Sequence, residues 1–248
     1  IWFKLYRTAV LADNTVINEA VPTGEAPVQK LSTGTTEVTW NNLTRRHPTG
    51  VDYSFYVKEV DEAGTDLDFA PEGFAKTEQD LTVTNTAVPD VDKKVDGNDN
   101  FVLPDLEQKM RYTVSATLGA DVSSYTKLVI RDVLPEILVI VGTPYISVDG
   151  TEVPALSDLI TVSQDGQTVT FTMTEGFATY AGKTIVLNIK AEIDTASDKL
   201  PQYLAAGSVT NEATLTLNDS SNVKQDTSVV TLPTSAAVRK VWIGGTDP

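Results

Sequence analysis

Residues 81–95, LTVTNTAVPDVDKKV, constrain the chain more than any other stretch. Two strand-like runs, 81–85 and 91–95, flank a hinge at 87–90 with Pro89 at its centre, so one domain is expected to close here and another to open. Side chains along a strand alternate between faces. Leu81, Val83 and Asn85 therefore share one face, and Val91, Lys93 and Val95 share another. An amide and an ammonium thus point at apolar interiors, where neither is tolerated without a partner.

The rest of the chain repeats this pattern. Short alternating runs rich in Thr and Val recur between Gly, Asn, Asp and Pro clusters, and helical periodicity is scarce, which reads as all-β sandwiches. With 248 residues there is room for two domains, each with its own core. A net charge of −15 argues against nucleic acid or an anionic membrane as partner, because both attract positive patches. Cysteine is absent, so no disulfide braces the sandwiches. Residue 1 already lies in a strand-like run and the chain ends in a turn, so a segment of a longer protein is expected.

In the first half, residues 1–7 alternate Ile1, Phe3 and Leu5 against Trp2, Lys4 and Tyr6. Weak strands are expected at 28–31 and 36–40, and the sole histidine, His47, falls in a polar connection. Residues 51–60, VDYSFYVKEV, place Tyr53, Phe55, Val57 and Glu59 on one face. The alternation that buries the aromatics also turns a carboxylate inward, toward the face that carries Asn85.

Tyr53, Phe55, Val57 and Glu59, followed by LTVTNT at 81–86, resemble the B-type repeat domain of Gram-positive collagen adhesins and pilins. That resemblance implies an inverse immunoglobulin-like sandwich over residues 1–88, with Glu59 assisting an isopeptide bond at Asn85. The family's lysine sits in a Lys-Val-Trp segment ahead of the strand that starts this chain. Such a segment occurs at the other end instead, where Val238, Lys240 and Trp242 alternate. Residues 236–248 are thus expected to be the opening strand of a further B-type domain, or a strand exchanged with a neighbouring copy, with Lys240 as crosslinking residue.

The second domain is expected over residues 89–235, with strands at 111–116, 127–130, 136–142, 159–163, 168–172, 184–193, 208–217 and 227–232 and turns at Asp149-Gly150 and Asp165-Gly166. Phase again exposes inward polar groups. In SVTNEATLTL, Asn211 is in register with Val209, Ala213, Leu215 and Leu217. In KLVIRDVLP, Asp132 shares the face of Leu128, Ile130 and Leu134. Lys93, Asp132 and Asn211, in the order DKKV, YTV, IRDVLP, TNEA, resemble the fimbrial isopeptide-forming domain of pilin shafts and adhesins, an A-type sandwich. The resemblance implies a Lys93–Asn211 bond assisted by Asp132.

The whole is expected to be two tandem immunoglobulin-like sandwiches serving as a stalk or shaft repeat at a bacterial cell surface, anchored through regions outside this chain. Its partners would be neighbouring repeats or copies of itself. The alternative is a module that binds a host extracellular-matrix protein through exposed loops such as 41–50 and 61–73. With no cysteine, one histidine and no Gly-rich phosphate loop, an enzyme is not expected beyond single-turnover bond formation. No cofactor is expected, and the acidic turn at 96–100 reads as a polar turn and not a metal site.

Overall fold

The computed structural model describes residues 1–67 and 71–234. The chain is all-β, as expected, and folds as two immunoglobulin-like sandwiches in tandem. The first contains β1 (Trp2–Val10), β2 (Val16–Ala20), β3 (Gln29–Lys30), β4 (Ser54–Val60), β5 (Phe74–Gln79) and β6 (Thr82–Ala87). Strand β1 pairs antiparallel with β2, β3 and β4, while β5 and β6 form a separate hairpin. The hairpin closes on Asp80, whose positive φ of 50° suits Asp better than a branched residue.

The second sandwich continues with β7 (Val91–Val95), β8 (Asn100–Val102), β9 (Met110–Thr117), β10 (Leu128–Val133), β11 (Leu138–Ile140), β12 (Tyr145–Val148), β13 (Thr151–Glu152), β14 (Ile160–Val162), β15 (Thr168–Met173), β16 (Thr184–Ile193), β17 (Ser208–Leu217) and β18 (Lys224–Thr231). One sheet runs β14-β15-β10-β17-β18-β8 and the other β13-β12-β16-β9-β7, with β11 also on β16. The Asp149-Gly150 pair, with φ of 49° and 81°, supplies the two left-handed residues that a two-residue hairpin between β12 and β13 demands. Short helices α1 (Pro154–Ser157) and α2 (Leu200–Ala206) fill connections.

The two cores differ in extent. In the second sandwich the inward faces of both sheets merge into one continuous cluster, from Val95 and Tyr112 through Ile130 and Phe171 to Leu215 and Val230. The first has a small cluster of Leu5, Val21 and Ala26, with Trp40, Leu43 and Phe55 only partly covered. At roughly 1.5–3 kcal/mol per fully buried large apolar side chain, the second sandwich carries most of the hydrophobic stabilisation.

Residues 36–40, expected as a strand, are irregular: their backbone is held by side chains, with the Trp40 indole donating to the Pro27 carbonyl (2.7 Å) and Gln29 Nε2 to the Thr39 carbonyl (2.7 Å). Strand β8 arises where a polar turn alone was expected, because Asn100–Val102 pairs parallel with the distant β18. In the turn before it, Asp99 pairs with Lys94, and Asp96 accepts from the Arg111 amide.

The two sandwiches meet through the β5–β6 hairpin. Ala75 and Val88 are buried in the second sandwich's core cluster. Thr86 Oγ1 donates to Ser124 Oγ (2.7 Å), and Asn222 Nδ2 donates to the Pro71 and Phe74 carbonyls (2.7 Å each). The hairpin therefore presents Thr86 to the second sandwich and Asn85 to the first.

Candidate functional site

Strand alternation delivers three polar side chains to the middle of the second core. Lys93, Asp132 and Asn211 are each 0% exposed. Asp132 lies on β10 between Val169 of β15 and Ala213 of β17, so Asn211, two residues before Ala213, is its diagonal neighbour on the same face. Lys93 comes from β7, at the edge of the opposite sheet, and its ammonium reaches across to Asp132 Oδ2. The backbone amide of Lys93 donates to Asp226 Oδ2 (2.7 Å), which fixes the strand that carries the amine.

Two further residues complete the site. Tyr112, on β9 next to β7, sets its ring 5.0 Å from Lys93 Nζ, and Ser228, on β18, lies directly across from Asn211. Phase would have shown both as inward residues, yet a core tyrosine and a core serine resemble ordinary packing.

The hydrogen-bond inventory is unusual. Asn211 Oδ1 and Nδ2, Asp132 Oδ1, Tyr112 OH and Ser228 Oγ are all buried and none makes a well-formed hydrogen bond, although Asn211 stands close enough to Asp132 to favour its carboxylate form. Each unpaired buried polar atom costs about 1–3 kcal/mol, and folded proteins contain few. Five in one cluster set this part of the core apart from ordinary packing. Asn188 is the control: it too is a buried amide, but its Nδ2 donates to Ser147 Oγ (3.0 Å) and to the Val186 carbonyl (3.1 Å).

Burial drives the Lys93 pKa down, against the pull of Asp132, and drives the Asp132 pKa up, against the pull of Lys93. Burial, reinforced by Asp132, also pushes the Tyr112 phenol up, so it stays protonated. The pair is thus biased toward a neutral amine beside a protonated carboxylic acid. Moving the proton between them changes no net charge, so the reactive form requires no exchange with bulk water.

A pH dependence follows for a Lys93→Met chain. Asp132 would keep its burial without its counter-charge, leaving its pKa above the ~3.9 of an unfolded aspartate. The folded state then retains a proton that the unfolded state has released. Stability is full below about pH 4 and falls as pH rises toward the folded pKa, by up to about 1.4 kcal/mol per pH unit. Melts between about pH 4 and 7 should show Lys93→Met losing Tm relative to the Lys93→Met/Asp132→Asn double variant; parallel curves would mean that Asp132 is ionised in the fold.

In the first sandwich, Glu59 is 3% exposed and its Oε2 accepts from Asn85 Nδ2 (3.0 Å). Asn85 Oδ1 is buried without a partner. Lys76 stands directly across the hairpin from Asn85, but its ammonium is turned to the Leu67 carbonyl and to Glu78 (3.1 Å). Lys240 and the opening strand expected at 236–248 lie outside the described residues.

Curated relatives are surface proteins. An 89-residue stretch is 42% identical to collagen adhesin of Staphylococcus aureus, covering 36% of this chain and 7% of that protein. A 191-residue stretch is 28% identical to platelet adherence protein A of Streptococcus gordonii, covering 73% of this chain and 5% of that protein. Over these stretches the chain is similar to two Gram-positive surface adhesins. It spans less than a tenth of either adhesin. No family model matches it. In fold it is similar to the major pilin BcpA of Bacillus cereus, with a TM-score of 0.50 at 19% identity over 92% of this chain and 64% of that one.

Proposed function

We propose that the chain is a structural repeat in the stalk or shaft of a Gram-positive surface adhesin or pilus, braced by a self-formed isopeptide bond between Lys93 and Asn211. The observation that carries this is the cluster of atoms without well-formed hydrogen bonds around a buried lysine and aspartic acid. Condensation resolves it: the bond removes the buried amine, ammonia departs with the two donors of Asn211 Nδ2, and the acid of Asp132 donates to the remaining Oδ1.

Chemically, the neutral Lys93 amine attacks Cγ of Asn211. The Asp132 carboxylic acid polarises the carbonyl by hydrogen bonding to Oδ1, then accepts the amine's proton and passes it to the departing nitrogen. Proximity supplies the rest, since folding alone converts a bimolecular aminolysis into an intramolecular one. The site is consumed in the act, so this is a single-turnover self-modification.

Intact mass of the denatured protein tests the proposal. The wild type should weigh one ammonia less than its sequence for this bond, and Asp132→Ala, with Lys93 and Asn211 both present, should regain that ammonia. A deficit that survives in Asp132→Ala and in Lys93→Ala would place the bond elsewhere. A matrix-binding role rests on the name of the staphylococcal relative, of which the chain matches only 7%. Saturable binding of collagen by this chain would bring that reading forward.

A further inference from the structure

In the second sandwich two aspartates stand in one row on either side of a small residue. Asp132 on β10 lies opposite Ala213 on β17, and Ala213 lies opposite Asp226 on β18. Residues directly opposite in an antiparallel pair point to the same face, and two strand spacings set β10 and β18 about 10 Å apart. Lys93, from the other sheet, spans this row and is held at both ends: its backbone amide donates to Asp226 Oδ2 (2.7 Å) and its ammonium to Asp132 Oδ2. Ala213 is fully buried and has no side chain beyond Cβ, which leaves room for the lysine stem to cross. Asn211, two positions earlier on β17, flanks the row on the same face.

We propose that Asp226 is a positioning residue for the Lys93–Asn211 bond: through the backbone amide of Lys93 it seats β7 against β18, and so sets how far the amine reaches along the row toward Asn211. The proposal deepens the isopeptide reading above and rests on it. Asp226 is half-buried, and its other oxygen, Oδ1, accepts from the Thr227 amide (2.8 Å), which fixes the rotation of the carboxylate. Two residues further along β18, Ser228 lies directly opposite Asn211. One strand thus locates both reactants, Asn211 through the β17–β18 ladder and Lys93 through the Asp226 side chain.

The role is geometric and not electrostatic. A carboxylate makes the stronger bond to the amide, yet its charge works against the reaction, because it favours the ammonium over the neutral amine that attacks. In the covalent step itself the Lys93 nitrogen bonds to Asn211 Cγ, the bond to Nδ2 breaks and ammonia leaves, with the proton relayed by Asp132; Asp226 takes no part in that transfer. Asparagine at position 226 would keep an acceptor for the amide and remove the opposing charge. A second contact between the same two segments supplies a control: Lys224 on β18 pairs with Asp90 (2.9 Å), three residues before Lys93, but Asp90 is 92% exposed, where such a pair contributes little.

The test times the loss of ammonia. Full chains are made by cell-free synthesis, translation is halted, and samples taken at intervals are denatured in acid and weighed, with time counted from the appearance of protease-resistant chain. Asp226→Ala should lose its ammonia roughly 10–100-fold more slowly than the wild type, the scale expected when a reacting group is displaced by about 1 Å. Asp226→Asn should restore the wild-type rate or exceed it, and Lys224→Ala should leave the rate unchanged. Should Asp226→Ala not fold, Asp226→Leu, similar in shape and without an acceptor, takes its place.

Equal rates in Asp226→Ala and the wild type overturn the positioning role. So does an Asp226→Asn chain as slow as Asp226→Ala, which would assign the effect to charge. A Lys224→Ala chain slowed as much as Asp226→Ala would make any contact between β18 and β7 sufficient, and also overturns it. Melting the same variants in the Lys93→Met background, where the bond cannot form, separates stability from rate: slowing that merely follows the loss of Tm across all three marks Asp226 as a structural residue. A wild type that never loses ammonia removes the Lys93–Asn211 bond itself, and this is read before any variant is compared.

Discussion

A Lys93→Met chain is expected to melt roughly 10–20 °C below the wild type. Methionine fills the space of the lysine stem without its charge, and at about pH 4 or below, where the Asp132 effect described above is absent, the comparison isolates the bond. Closing a loop of about 118 residues lowers unfolded-state entropy by the equivalent of about 5 kcal/mol on the chain-entropy account. For a protein of this size each kcal/mol shifts Tm by about 2–4 °C. Calorimetry alongside intact mass checks it. A variant that keeps the wild-type Tm, or a wild type with no mass deficit, would leave Lys93, Asp132 and Asn211 as a buried polar cluster without a crosslink.

The site in the second sandwich was legible because strand periodicity is strict. Lys93, Asp132 and Asn211 each sit in a run whose neighbours at two-residue spacing are apolar, with Val95, Ile130 and Ala213 fully buried. A polar residue in that phase can only face the core. Phase does not reveal whether a buried amide is satisfied: Asn188 and Asn211 are both buried, and only the hydrogen bonds made in the folded chain distinguish them.

The first sandwich was harder to read for a related reason. Glu59 and Asn85 were visible by phase and do meet. The partial cover of Trp40, Leu43 and Phe55 was not, since it is a property of packing. Phe74–Gln79 went unread because its alternation is broken: Phe74 is 39% exposed while Ala75 is fully buried against the second sandwich. β8 is only three residues long and takes its identity from β18, more than a hundred positions away.

Under tension the second sandwich of the wild type should yield at most about 70 Å. Force enters at β7 and meets Lys93 two residues later, then crosses to Asn211 on β17. The ~118 residues between them lie outside the path, and only residues 212–231 remain extensible, about 70 Å at full stretch. In Lys93→Met the force must pass through every strand, and unfolding residues 91–231 releases about 490 Å. A single-molecule pulling experiment with handles on both ends separates the two, because the long step should occur only in the variant. A wild type that shows the same long step has no bond between these strands. A stalk must transmit load without lengthening. The proposed bond, joining the first strand of this sandwich to its penultimate one, would achieve this in a chain that has no cysteine with which to build a disulfide.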